Sequence, residues 1–153
     1  MSNIQDEFHM RQAICLAQQA WDQGEVPVGA VLIKDDRIIG RGFNQPISTC
    51  DPTAHAEIIA LREAASAIQN YRLVDTTLYV TLEPCLMCWG AIFHARVSRV
   101  VFGAKENYGQ SRGSSTTEIA LHSFSRSIDI KGGILGDQCS HQLKSFFKQK
   151  RQK

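Results

Sequence analysis

Cys85 and Cys88 stand three residues apart in the run Glu83-Pro84-Cys85-Leu86-Met87-Cys88. On a helical turn that spacing puts both sulfurs on one face, and a helix N-terminus favours the ionised thiol. Two such thiolates bind a soft or borderline metal, form a redox pair, or sit as inert core thiols, and the pair alone does not choose among these. His55, upstream in His55-Ala56-Glu57, offers a third donor. A β-α-β arrangement can bring two helix N-termini to one edge of a sheet, the edge where parallel sheets bind ligands. One imidazole and two thiolates leave a fourth tetrahedral position for water, as in a catalytic zinc site; structural zinc takes four protein ligands. A neighbouring carboxylate can take the proton of water acidified by such an ion, and Glu57 is the carboxylate at hand. Residues two apart do not share a face of a regular helix. His55 and Glu57 therefore converge only if the chain is still entering its helix at His55, which Pro52 and Thr53 favour.

Taken singly, these residues have plainer readings. His55 alone is a helix-end histidine, and Glu57 alone a solvated acid suited to a first helical turn. His94, His122 and His141 have no partner at ligand spacing and read as structural or surface residues. Cys15, on the first amphipathic segment, reads as a core thiol. Cys50 and Cys139 offer a fourth zinc ligand in principle but have no helpful neighbours.

The elements that must position the site follow from hydrophobic periodicity. Residues 10–21 place Ile14, Ala17 and Trp21 at helical steps, and Gly24 ends that helix. Residues 26–33 and 38–43 are β-rich runs joined across residues 34–37, a hairpin. A polar loop over 44–52 leads to a helix over 54–68, with Thr53 as its expected N-cap. A strand over 77–82 precedes Pro84, placed as the first position of a helix running over 85–94. A strand over 97–102, a short helix over 118–122, a short strand over 128–130 and a last helix over 137–150 complete the order. Strands separated by helices need crossovers, so part of the sheet is expected to be parallel and covered on both faces. A three-layer α/β/α sandwich is the simplest solution.

Composition bounds the rest. The 153 residues are 43% hydrophobic and 21% charged, without repeat, low-complexity stretch or dividing linker, which suits one globular domain over residues 1–153. The longest apolar run, residues 26–33, is broken by Pro27 and Gly29 and falls far short of the ~20 residues that span a bilayer. The opening residues carry acids where a secretion signal would be basic and apolar. Five cysteines at irregular spacing argue against a disulfide framework and for a reducing, cytoplasmic setting. Net charge is only +2, yet five of the 17 Lys and Arg and none of the 15 Asp and Glu lie from Cys139 onward. The last helix is thus a positive patch on a slightly acidic body. Phe146 and Phe147 beside Lys148, Lys150 and Arg151 suit single-stranded RNA, or else simply core aromatics with cations at a helix C-terminus.

The spacing His-x-Glu followed by Pro-Cys-x-x-Cys is that of zinc-dependent nucleobase deaminases. Longer strings narrow the likeness: VPVGAV at 26–31, Asn44-x-Pro46, DPTAHAEI at 51–58, NYRL at 70–73, TLYVTLEPCLMC at 77–88 and RVVFGA at 99–104. Over residues 8–151 the chain resembles the bacterial tRNA-specific adenosine deaminases of the cytidine and deoxycytidylate deaminase superfamily. The resemblance implies a mixed five-stranded sheet in a cytidine deaminase-like sandwich, with Zn²⁺ held by His55, Cys85 and Cys88. It implies that Glu57 moves protons while wobble adenosine in a tRNA anticodon stem-loop becomes inosine. By the same resemblance Asn44 hydrogen-bonds the nucleoside, Val28 lines the base pocket, Phe147 and Arg151 belong to an RNA surface, and the protein is a homodimer. One stretch departs from the pattern. Where relatives carry Asp, then Lys two residues later, this chain reads Lys105-Glu106-Asn107-Tyr108-Gly109, so Glu106 keeps the acid and Tyr108 replaces a cation. The rival expectations are a deaminase of a free base or nucleotide (cytosine, deoxycytidylate or guanine) and a silent RNA-binding subunit, which would be expected to lack Glu57.

Overall fold

Asp35 and Asp36 have φ of 50° and 61°, the left-handed pair that a two-residue hairpin turn requires. They join β1 (Gly29–Lys34) to β2 (Arg37–Phe43), with Lys34 facing Arg37 across the turn. The computed structural model describes residues 3–106, 116–124 and 126–152. Around the hairpin it places α1 (Asn3–Asp22), α2 (Pro46–Thr49), α3 (Ala56–Ile68), β3 (Thr77–Leu82), α4 (Leu86–Ala95), β4 (Arg99–Ala104), α5 (Thr116–Ser123), β5 (Asp129–Lys131) and α6 (Gly136–Arg151).

The five strands form one mixed sheet in the order β2-β1-β3-β4-β5. β1 is antiparallel to β2 and β3, whereas β3, β4 and β5 run parallel. Alternation along the central strands divides the core in two. Leu32, Leu78, Val80, Val100 and Phe102 pack with Ala56, Ala60, Trp89 and Ile92 of α3 and α4 on one face. Val31, Ile33, Tyr79 and Val101 pack with Met10 and Ala13 of α1 and Cys139 of α6 on the other. The three-layer sandwich follows directly from this period of two.

Several boundaries differ from those read in the sequence. The first helix begins at Asn3 because Asp6, polar in type, is buried: it accepts hydrogen bonds from Tyr79 (2.8 Å), Arg99 (2.9 Å) and Lys131 (3.4 Å). The last helix extends one residue beyond each end of the expected 137–150 span. The polar loop after β2 contains the single turn α2. Thr53 does not cap α3; His55 is the N-cap residue, and the capping bond comes from Asn44. Pro84 lies just before the N-cap Cys85 instead of inside α4. Gly42 lets α3 lie directly on β2, since a Cβ there would sit 2.2 Å from the Ala56 carbonyl oxygen.

Candidate functional site

β3 and the loop after β2 deliver their helices to the same edge of the sheet. His55 and Cys85 both have extended backbones, with φ −73°, ψ 154° and φ −74°, ψ 173°, immediately before α3 and α4. This is the geometry that lets His55 and Glu57 converge, because the helix starts between them. His55 Nδ1 lies 3.6 Å from Cys85 Sγ and 3.5 Å from Cys88 Sγ. Zinc–sulfur and zinc–nitrogen bonds of about 2.3 and 2.0–2.1 Å at a tetrahedral angle hold S and N about 3.6 Å apart. The three donors therefore fit one zinc ion, with Nδ1 as the ligating nitrogen. Among the described residues no other His, Cys, Asp or Glu joins them. Cys50 is exposed, and Cys139 is buried on the opposite face of the sheet.

The electrostatics suit a metal and a proton carrier. A hydrogen bond from Cys88, with a further one from His55, draws the Cys85 thiol down to about 4 against the effect of burial. Glu57, the second residue of α3, is 4% exposed, and burial pushes its carboxyl up to about 7. Its own backbone N–H and the Cys88 thiol pull the other way. A carboxyl that titrates near neutrality both takes and gives a proton readily.

Val28, Asn44, His55, Glu57, Glu83 and Cys85 line a cavity of about 130 Å³, with Val26, Leu82 and Glu106 completing its wall. Asn44 Oδ1 accepts the Ala56 N–H at 2.9 Å, while the Asn44 N–H donates to the Val28 carbonyl at 3.1 Å. That carboxamide thus fixes the start of α3 and keeps its N–H₂ group for another partner. Two grooves share walls with the cavity. One of about 430 Å³ includes Val26, Leu82, Lys105, Glu106, Lys144 and Phe147; the other, about 400 Å³, includes Val26, Asn44, Ile47, Phe146, Phe147 and Lys150.

The structure thus gathers Asn44, Val28 and Glu106 around the same cavity as His55, Glu57 and Cys85, with Cys88 buried behind them. Phe147, 37% exposed, stands between the two grooves, whereas Phe146 is 4% exposed and packs edge-on to Trp21 at 5.3 Å. The adjacent phenylalanines therefore divide the two readings between them, one core and one surface. Arg151 is exposed in the last turn of α6 but lines neither groove. Tyr108 lies outside the described residues.

Two buried carboxylates emerge only from the structure. Glu25 accepts the N–H groups of Ile47 (3.2 Å) and Ser48 (2.7 Å), anchoring α2 beside Asn44. Glu83 accepts the N–H of Glu106 (3.0 Å) and the hydroxyl of Thr117. Their only trace in the sequence is position: Glu25 abuts the VPVGAV run, and Glu83 directly follows an apolar strand.

Residues 3–104 match the family described as the cytidine and deoxycytidylate deaminase zinc-binding region. The tRNA-specific adenosine deaminase of Haemophilus influenzae is 50% identical over 148 residues, covering 96% of this chain and 86% of that one. The enzyme of the same name from Bacillus subtilis is 40% identical, over 97% and 92% of the two chains. A solved structure from work on A-to-I editing by tRNA:A34 deaminases at the wobble position superposes with a TM-score of 0.80. It is 37% identical, over 89% of this chain and 99% of that one.

Proposed function

Because this chain belongs to the cytidine and deoxycytidylate deaminase zinc-binding family, and within it to the tRNA-specific adenosine deaminases, we propose that it hydrolyses adenosine to inosine at the wobble position of a tRNA anticodon loop. The observation that carries this reading is the His55–Cys85–Cys88 tripod with buried Glu57 in the same cavity wall. The cofactor is one zinc ion per chain, and when bound it supplies the Lewis acidity that brings the pKa of water toward neutrality. Glu57 accepts a proton from the attacking water and delivers it to the purine ring nitrogen. It then takes the remaining proton of the hydroxyl added at C6 and passes it to the amino group, which leaves as ammonia. Over the cycle adenosine and water become inosine and ammonia, and Glu57 ends as it began. The Asn44 carboxamide N–H₂ holds the nucleoside, and Val28 packs against the base.

The two grooves favour a base splayed out of an RNA loop over a free base. A closed pocket suffices for a free base, whereas this cavity shares its walls with channels bordered by Lys105, Lys144, Lys150 and Phe147. Cations and an exposed aromatic ring are what flanking nucleotides need. An apolar groove of about 460 Å³ between α3 and α4, lined by Ile58, Leu61, Ala65, Met87 and Ala91, supports a homodimer through that face. No helix among the described residues is long and apolar enough to cross a membrane. None of the five cysteines is in a disulfide, and with a tRNA substrate this supports a cytoplasmic setting. The test is incubation with an anticodon stem-loop carrying wobble adenosine, beside free adenosine, cytosine and guanine. Inosine formed in the stem-loop alone is expected; conversion of a free base alone would overturn the reading.

A further inference from the structure

Glu83 directly follows β3 and comes two residues before the ligand Cys85, yet the proton chemistry of Glu57 gives it no part. Its side chain is 4% exposed. Its backbone N–H donates to the Ala104 carbonyl at 2.8 Å, so residue 83 is fixed to the end of β4. One carboxylate oxygen accepts the Glu106 N–H at 3.0 Å, and the other accepts the Thr117 hydroxyl at the start of α5. The next residue repeats the grip, for the Pro84 carbonyl accepts the Thr116 hydroxyl at 3.0 Å. The two residues that lead into the metal-binding turn thus hold chain positions 106 and 116–117 together. Glu106 is part of the wall of the zinc-site cavity and of the adjoining groove.

Burying a carboxylate is costly unless hydrogen bonds to its oxygens offset the lost hydration. Here they set the distance between the helix that carries Cys85 and Cys88 and the cavity wall that faces the substrate. We propose that Glu83 is a positioning residue for RNA substrate, holding the Glu106 wall at the zinc site while taking no proton itself. This rests on the reading of the site as an anticodon-loop deaminase.

The test compares wild type with Glu83→Ala, Glu83→Gln and Thr117→Val on the wobble-adenosine stem-loop. Glutamine keeps one oxygen for the Glu106 N–H and offers an N–H to the Thr117 hydroxyl. Losing both bonds in Glu83→Ala is expected to raise KM about tenfold, with kcat within about threefold of wild type. Zinc content should not change, and the Glu106 amide should lose protection from hydrogen exchange. Glu83→Gln should recover most of the lost affinity. Thr117→Val should raise KM about threefold, which keeps the inference testable if Glu83→Ala fails to fold. A kcat loss of about tenfold or more in both Glu83→Gln and Glu83→Ala would show that the charge itself is used and overturn the proposal. So would loss of zinc, or an unchanged KM in Glu83→Ala and Thr117→Val. An inactive wild type would sink the functional reading and this inference with it; an active wild type with unmoved variants sinks the inference alone.

Discussion

Replacing Asp6 by Asn should cost the protein much of its stability, and the cost should shrink in acid. Asp6 is fully buried and ties α1 to three strands through Tyr79 of β3, Arg99 of β4 and Lys131 of β5. Burial alone would raise its pKa, but Arg99, Tyr79 and Lys131 outweigh it and hold the carboxyl at about 2. Relative to a free aspartate near 3.9, this difference corresponds to about 2.5 kcal/mol of stability at neutral pH. The folded value is the lower of the two. The contribution is therefore complete above roughly pH 4 and is lost as pH falls through about 2. Asp6→Asn leaves Arg99 with the exposed Asp129 as its remaining acidic partner. Removing one member of a buried pair costs about 3–5 kcal/mol, which in a domain of this size lowers the melting temperature by on the order of 10 °C. Urea denaturation of both proteins at pH 7, 5, 3 and 2.5 measures the gap. It should be constant from pH 7 to 5 and narrow below 4. A gap under 1 kcal/mol at pH 7, or one that widens in acid, would refute the reasoning.

Gly42→Ala should destabilise the fold by about 1–3 kcal/mol and weaken zinc binding, because the new Cβ would meet the Ala56 carbonyl at 2.2 Å and displace the turn that carries His55 and Glu57. Thermal melting and zinc titration would show it. Asn44→Ala should lower stability by about 0.5–2 kcal/mol through loss of the helix cap and also raise KM. Asn44→Asp keeps the capping oxygen, so in melting and kinetic assays it should lose substrate affinity with a smaller loss of stability. Deleting residues 149–153 removes Lys150, Arg151 and Lys153. The slope of log affinity for tRNA against log salt should fall by up to about 2; an unchanged slope would move the RNA surface elsewhere.

Much of this site was legible because its chemistry is local. The Cys85–Cys88 spacing, the His55–Glu57 pair and the alternating strands declare themselves within a few residues, and the requirement that His55 precede its helix follows from elementary helix geometry. What was not legible was held by distant partners. Thr53 was the local candidate to cap α3, but Asn44 reaches across twelve positions to do so. Asp6, Glu25 and Glu83 look like surface acids in the sequence because nothing nearby announces the donors at Arg99, Ser48 or Thr117. Phe146 and Phe147 are adjacent and alike, and only the packing of Trp21 on one of them distinguishes core from surface.

The most direct measurement is zinc stoichiometry and stem-loop turnover in Glu57→Ala beside Cys88→Ala. Glu57 lies against the metal site without being a ligand, so its variant should keep one zinc per chain and lose turnover by at least about a hundredfold; the Cys88 variant should lose both. A Glu57→Ala protein that sheds its zinc, or one that still converts adenosine at the wild-type rate, would contradict the account.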